Sequence, residues 1–323
     1  MFELRSPDFV NLAGEETGRN HLSHSSLGML LACQERFNLH YERRLRPAVT
    51  AEPLAIGSGF AQALEIGDPE VAWATVLGQY EAELDANGGN PWVSFASREE
   101  VEIGAQIARE AARCYLKSYG VRGETRELEM RVRIRNPEVG GRVSATHDLL
   151  GRVDAVDLEN AVLVEDKLSS SMMRSNLRQR VRLDRQVSIG CYLVWRTTGV
   201  LIRDVKYRVT LKPGIKLRQN ETHEAFLERI AEDYATRSEH YLIEEAATRD
   251  ESDFLRLERE LWRWAETVRE ARKDGTWPRN SAACLEYGGC RYLPLCAGEP
   301  GAENQYREFV SVGVDDKRQE VMA

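Results

Sequence analysis

The hydrophobic pattern changes period several times along the chain. Leu27, Leu30, Leu31, Phe37 and Tyr41 recur at helical spacing after the cap-forming run Ser23 to Ser26, which predicts a helix over about 25–44. Two further helical segments are predicted over about 58–86 and 97–119. The period then drops to two: Leu128, Met130, Val132 and Ile134 alternate with Glu129, Arg131, Arg133 and Arg135, as in a half-buried strand. Strands are predicted next over 149–158 and 161–168. Leu183, Val187, Cys191 and Val194 return to helical spacing, and Val205, Tyr207, Val209 and Leu211 then alternate with Lys206, Arg208, Thr210 and Lys212 in a fourth strand. Residues 221–273 read as two long amphipathic helices, and the polar stretch after Gly298 reads as a loose tail. Helices at both ends with strands between them predict an α/β fold with a mixed sheet flanked by helices.

Composition narrows the class. The 323 residues, 42% hydrophobic and 30% charged, suffice for one large domain or two modest ones. A net charge of -8 excludes a protein coated in basic charge, though a local basic groove is compatible with it. The chain lacks a long uninterrupted apolar run, and its first residues, MFELRSPDFVNLAGEE, carry acids and no apolar core. Neither a membrane span nor a secretory signal is predicted, and the expectation is a cytoplasmic protein. Six cysteines in such a chain point to metal ligation, catalysis or core packing rather than disulfides.

Three constellations carry candidate chemistry. The first is GRVDAVDLENAVLVEDKLSS, residues 151–170. A two-residue turn at Glu159 and Asn160 sets Asp154 opposite Glu165, puts Lys167 on the same face and sends Asp166 to the other. Like charges across a ladder destabilise it. Either a divalent cation bridges the acids, with oxygen-only ligands suiting Mg²⁺ or Mn²⁺ and Lys167 beside it, or the face is solvated and holds a surface salt bridge. The second is the set Cys284, Cys290 and Cys296, spaced C-x5-C-x5-C, with Cys33 as a fourth thiolate. Four thiolates suit tetrahedral Zn²⁺ or an iron–sulfur cluster, and spacing leaves both open. Cys114 and Cys191 lie at helical core spacing and read as buried, inert thiols. The third is SSSMMRSNLRQRVRLDRQ, in which Arg174, Arg178, Arg180, Arg182 and Arg185 accompany a single acid, Asp184. This stripe suits phosphate contacts along a nucleic acid strand, or is simply a solvated helix face. Trp262, Trp264 and Trp277 are candidates for base stacking or for the core.

Gly151 to Asp154 as G-x-x-D, followed by Glu165 to Lys167 as E-D-K, resembles the motif of the PD-(D/E)xK nuclease superfamily. LSHSSLGMLLACQERFNLHY, AIGSGFAQALE, DRQVSIGCY and WPRNSAACLEYGGCRYLPLC resemble, in order, four further segments of its Cas4-like and RecB-like branch. These are the cysteine-bearing first helix, the helix that usually reads G-[ST]-x-x-H-x-x-x-E, the Gln-bearing helix and the terminal iron–sulfur segment, the last in a form often met in bacteriophage members. The resemblance spans residues 22–297, taken as the nuclease domain, with 1–21 as an N-terminal segment and 298–323 as a polar tail. It implies a restriction-endonuclease-like fold with both ends joined by a [4Fe–4S] cluster on Cys33, Cys284, Cys290 and Cys296. It also implies Asp154 and Glu165 as ligands of Mg²⁺ or Mn²⁺, the Asp166 carbonyl as a third ligand, and Lys167 and Gln186 at the water or phosphate.

Two departures stand out. Gln62 is placed where the branch has a ligand histidine, and its amide is either a weak metal ligand or a polar group on a helix face. Gly190 stands four residues after Gln186, where the branch has a tyrosine, and Tyr192 is rotated about 240° from Gln186. The implied activity is DNA hydrolysis, trimming single strands from an end, 5′-to-3′ by analogy, with possible helicase or recombination partners. The alternatives are a non-catalytic or partner-dependent DNA-binding protein, and a zinc-stapled accessory subunit.

Overall fold

The computed structural model describes residues 20–47, 52–86, 97–121, 128–140, 142–169, 176–285 and 289–308. Strand β1 (Asn20–Leu22) leads into α1 (His24–Ala32), whose N-terminus is closed by a reciprocal capping box between Ser23 and Ser26. The helix expected to run on to residue 44 instead breaks at Cys33, which is extended at φ -166° and ψ 121°. Helix α2 (Gln34–Phe37) and a π-helical turn (Asn38–Glu42) follow, then β2 (Leu45–Pro47). The C-terminal segment grips the break: Asn280 Nδ2 donates to Ala32 O at 2.9 Å and Glu35 N to Pro278 O at 3.3 Å. Long-range hydrogen bonds thus interrupt a periodic helix.

Helices α3 (Glu52–Ile66), α4 (Glu70–Ala86) and α5 (Arg98–Tyr119) form a helical layer. The single segment expected over 58–86 divides at Gly67, whose φ of +82° ends α3. Strands β3 (Leu128–Arg135) and β4 (Val143–Val153) pair antiparallel, with β1 parallel on the far side of β4. The chain bends at Asp154 and continues as β5 (Ala155–Asp157), which pairs with β6 (Val162–Ser169) in a second sheet. Asp154 therefore stands where one strand passes from sheet to sheet.

Ala155 faces Val164 and Asp157 faces Val162, the register expected of the hairpin. The turn is longer than expected: residues 158–161 make it, held by Asp157 Oδ1 accepting from Asn160 N at 2.9 Å. Beyond β6 come α6 (Leu177–Leu183), α7 (Arg185–Thr198) and β7 (Asp204–Leu211), which pairs parallel to β6. Helices α8 (His223–Thr236) and α9 (Ser238–Tyr241) precede β8 (Leu242–Thr248), antiparallel to β7. Two helices are expected over 221–273; β8 intervenes before α10 (Glu251–Asp274), because LIEEAAT gains a full ladder on β7 that outweighs its helical composition. Helix α11 (Leu293–Ala297) and β9 (Tyr306–Glu308) close the chain, and β9 pairs with β2 inside the stretch expected to be a loose tail.

Helix α7 packs across β3, β4 and β6. Two glycines permit the approach: a Cβ on Gly151 would lie 2.5 Å from Leu193 Cδ1, and one on Gly190 3.1 Å from both Leu163 and Val153. The whole is a mixed α/β fold with parallel and antiparallel pairs. No helix among the described residues is long and apolar enough to cross a membrane.

Candidate active site

The bend and the hairpin bring the acids together. Asp154 Oδ2 accepts from the Asp166 backbone N–H at 2.9 Å, fastening the bend to β6. Glu165, 2% exposed, lies beside it. Alternation along β6 puts Lys167 on the same face, where Nζ donates to Glu165 Oε1 and, at 2.9 Å, to Gln186 Oε1. Asp166 points to the opposite face, against Tyr115 of α5. Burial, then the Asp154 charge, push the Glu165 carboxyl up to about 8, against the pull of Lys167. Burial works to lower the Lys167 ammonium, but Glu165 and Asp154 outweigh it and the net shift is upward.

Gln186 is held in place by the start of α7. The Asp184 side chain caps that helix, with Oδ1 accepting from Gln186 N at 2.7 Å and Val187 N at 3.4 Å. Behind the α6–α7 corner, Arg249 is 3% exposed and donates to Val181 O, Asp184 O and Ser188 Oγ, at 3.0, 3.1 and 2.8 Å. A buried guanidinium thus locks the corner whose next turn carries Gln186.

Three groups at the site escape the sequence reading. Asp184 reads there only as the acid of the arginine stripe. Tyr207 pairs with Glu165 across β6 and β7 and approaches Asp184 Oδ2 at 3.5 Å. Burial pushes its phenol up to about 12, with Lys167 opposing. His24, at the first position of α1, is lowered by burial, with Asp184 opposing and Lys167 and Arg185 adding to the effect. The alternation over 205–211 is the available sign for Tyr207, since it sets Tyr207 on one face with Val205 and Val209.

Other expected residues lie elsewhere. Gln62 Oε1 accepts from Thr75 Oγ1 at 2.5 Å, so the oxygen proposed as a ligand is engaged by α4. Counted from Gly57, the histidine position of the pattern in fact falls on Ala61, which is exposed and offers no donor. Tyr192 donates to Glu258 at 2.7 Å in the core. Trp277 stacks on Phe37 at 5.8 Å, and Trp262 and Trp264 pack on the core beneath Arg142 and Arg185, at 5.4 and 5.0 Å from their ring centres. Arg178, Arg180 and Arg182 are exposed on α6 and Arg185 is half-buried on α7, while Arg174 lies outside the described residues.

Oxygen donors suit a hard divalent cation, and two adjacent acids, one buried with a raised pKa, form a donor set that such a cation would stabilise. The residues present fit a hard divalent cation. Cys33, Cys284, Cys290 and Cys296 line a single cleft with Arg36 and Arg279. Burial raises the Cys296 thiol, with Cys290 and Cys33 among the charges adding to it. Among the described residues no three His, Cys, Asp or Glu side chains converge closely enough to hold one metal ion. Four thiolates around one cleft suit either tetrahedral Zn²⁺ or an iron–sulfur cluster. Cys114 and Cys191 are buried, which pushes their thiols up to about 11 and about 12.

A family model described as the PD-(D/E)XK nuclease superfamily matches residues 21–297. No curated protein matches the chain. Among solved structures, a phage related exonuclease from Haemophilus somnus 129PT aligns at 11% identity over 62% of this chain and 83% of that one, with a TM-score of 0.28. A superposition that loose carries nothing about substrate or polarity.

Proposed function

The chain belongs to the PD-(D/E)XK nuclease superfamily, and from that premise we propose that it is a metal-dependent deoxyribonuclease of the Cas4-like branch that trims single-stranded DNA from an end. The observation that supports hydrolysis is the convergence of Asp154, Glu165, Lys167 and Gln186 on one face of β6 and the start of α7. Bound Mg²⁺ or Mn²⁺ would supply Lewis acidity to the phosphodiester and lower the pKa of the attacking water. Asp154 and Glu165 would hold the cation, with the Asp166 carbonyl as a third oxygen. Lys167, kept charged by its acids and aimed by Gln186, would offset negative charge growing on the phosphoryl oxygens.

The strand would run along α6, where Arg178, Arg180 and Arg182 face outward within a few residues of Gln186. A [4Fe–4S] cluster on Cys33, Cys284, Cys290 and Cys296 would pin the break between α1 and α2 to the C-terminal segment. Its role is structural, and a 5′-to-3′ direction and helicase or recombination partners are carried from family analogy. The loss of a donor from α3 favours a rival reading, DNA binding without turnover.

The test is cleavage of single strands labelled at either end, using anaerobically purified protein with Mg²⁺, Mn²⁺ or EDTA and Glu165→Gln as control. Short products from wild type with metal alone support the proposal, and the label pattern gives polarity. Binding without cleavage by cluster-loaded wild type supports the rival. A brown protein absorbing broadly near ~400 nm supports iron–sulfur ligation, and a colourless zinc protein contradicts it.

A further inference from the structure

Helix α7 offers the site no tyrosine. Residue 190, one turn beyond Gln186, is the glycine pressed against Leu163 and Val153. Tyr192 is 1% exposed, with its hydroxyl spent on Glu258. A phenol reaches the site from another element. Tyr207 is the β7 residue in register with Glu165, and Val209 is the one in register with Lys167. Paired residues on neighbouring strands share a face, so the Tyr207 ring stands on the face of the acid and the ammonium.

Among the described residues the Tyr207 hydroxyl has one hydrogen-bond contact, to Asp184 Oδ2 at 3.5 Å. O–H···O bonds centre at ~2.7–2.8 Å, so that contact is loose and the donor is open to a better-placed acceptor. The ring itself is 9% exposed and therefore fixed by packing. A phenol is a donor at neutral pH, as is the Lys167 ammonium. Two donors on the face of Glu165 suit an anion rich in acceptor oxygens.

Resting on the nuclease reading above, we propose that Tyr207 is a catalytic residue, its O–H donating to a non-bridging oxygen of the phosphodiester held against Lys167. β7 thereby supplies the aromatic hydroxyl that close packing of Gly190 on the sheet denies to α7.

The test compares Tyr207→Phe with Tyr192→Phe in steady-state cleavage of single-stranded DNA with Mg²⁺, alongside thermal melting. Losing one hydrogen bond made mainly in the transition state should lower kcat about tenfold in Tyr207→Phe, with KM within about twofold and the melting temperature within ~2 °C. Tyr192→Phe should do the reverse, keeping kcat and melting lower because Glu258 loses its buried partner. Wild-type kcat in Tyr207→Phe overturns the proposal, as does a loss of activity matched by a fall in melting temperature. A cluster-loaded wild type that cleaves nothing overturns the nuclease reading and this proposal with it; a cleaving wild type with an unaltered Tyr207→Phe overturns this proposal alone.

Discussion

Glu165→Gln should make the metal-free protein more stable at pH 7. Glu165 is 2% exposed beside Asp154, and its carboxyl is pushed up to about 8 by burial first and the neighbouring acid second. The unfolded chain releases that proton near the ordinary 4.5. Between those values the folded protein binds more protons than the unfolded chain, so stability falls as pH rises through the window. At about 1.4 kcal/mol per pKa unit, keeping that proton at pH 7, after the unfolded chain has released it, costs up to about 3.5 kcal/mol. That figure already contains the pull of Lys167, and an effective interior dielectric well above the dry limit brings the expected gain for the neutral amide to about 1–2 kcal/mol. In a chain of this size that is a rise in melting temperature of roughly 2–4 °C. Calorimetry in EDTA from pH 5 to 8 measures it, and the gain should shrink towards pH 5. Destabilisation by Glu165→Gln at pH 7, or a gain independent of pH, would refute the strain assigned to this acid.

Gly190→Val should lower stability by about 1–3 kcal/mol, seen as a lower melting temperature, because the added side chain meets Leu163 and Val153 beneath α7. An unchanged melting temperature would contradict the close approach of α7 to the sheet. The double variant Arg178→Ala with Arg182→Ala should weaken single-strand binding, and the slope of log K against log salt should fall by about 0.7 for each phosphate no longer neutralised by an arginine. Equal slopes by fluorescence anisotropy would remove α6 from the path of the strand.

The catalytic hairpin is legible in the sequence because its signals are local. Alternation determines which residues share a face, and the pairing of Ala155 with Val164 keeps the expected register although the turn is longer. Helix α5 is legible from Ser97, which closes a capping box with Glu100. What escapes depends on distant partners. The break at Cys33 is made by contacts with Asn280 and Pro278, roughly three quarters of the chain away. Strand β8 exists because β7 offers it an edge, and its own residues favour helix. Gln62 lies one residue past the histidine position of the pattern, and no local signal shows that Thr75 on the next helix engages it. Tyr207 is hidden because strand pairing, not sequence spacing, brings it to Glu165.

The most direct test of the central claim is single-turnover cleavage of single-stranded DNA with Mg²⁺ by wild type and Lys167→Met, each shown to be folded. The account predicts that losing the ammonium slows cleavage about 10²–10³-fold while affinity measured in EDTA stays within about twofold. Cleavage by Lys167→Met at the wild-type rate would contradict it, since the phosphodiester would then be cut without the group that Glu165, Asp154 and Gln186 hold in place.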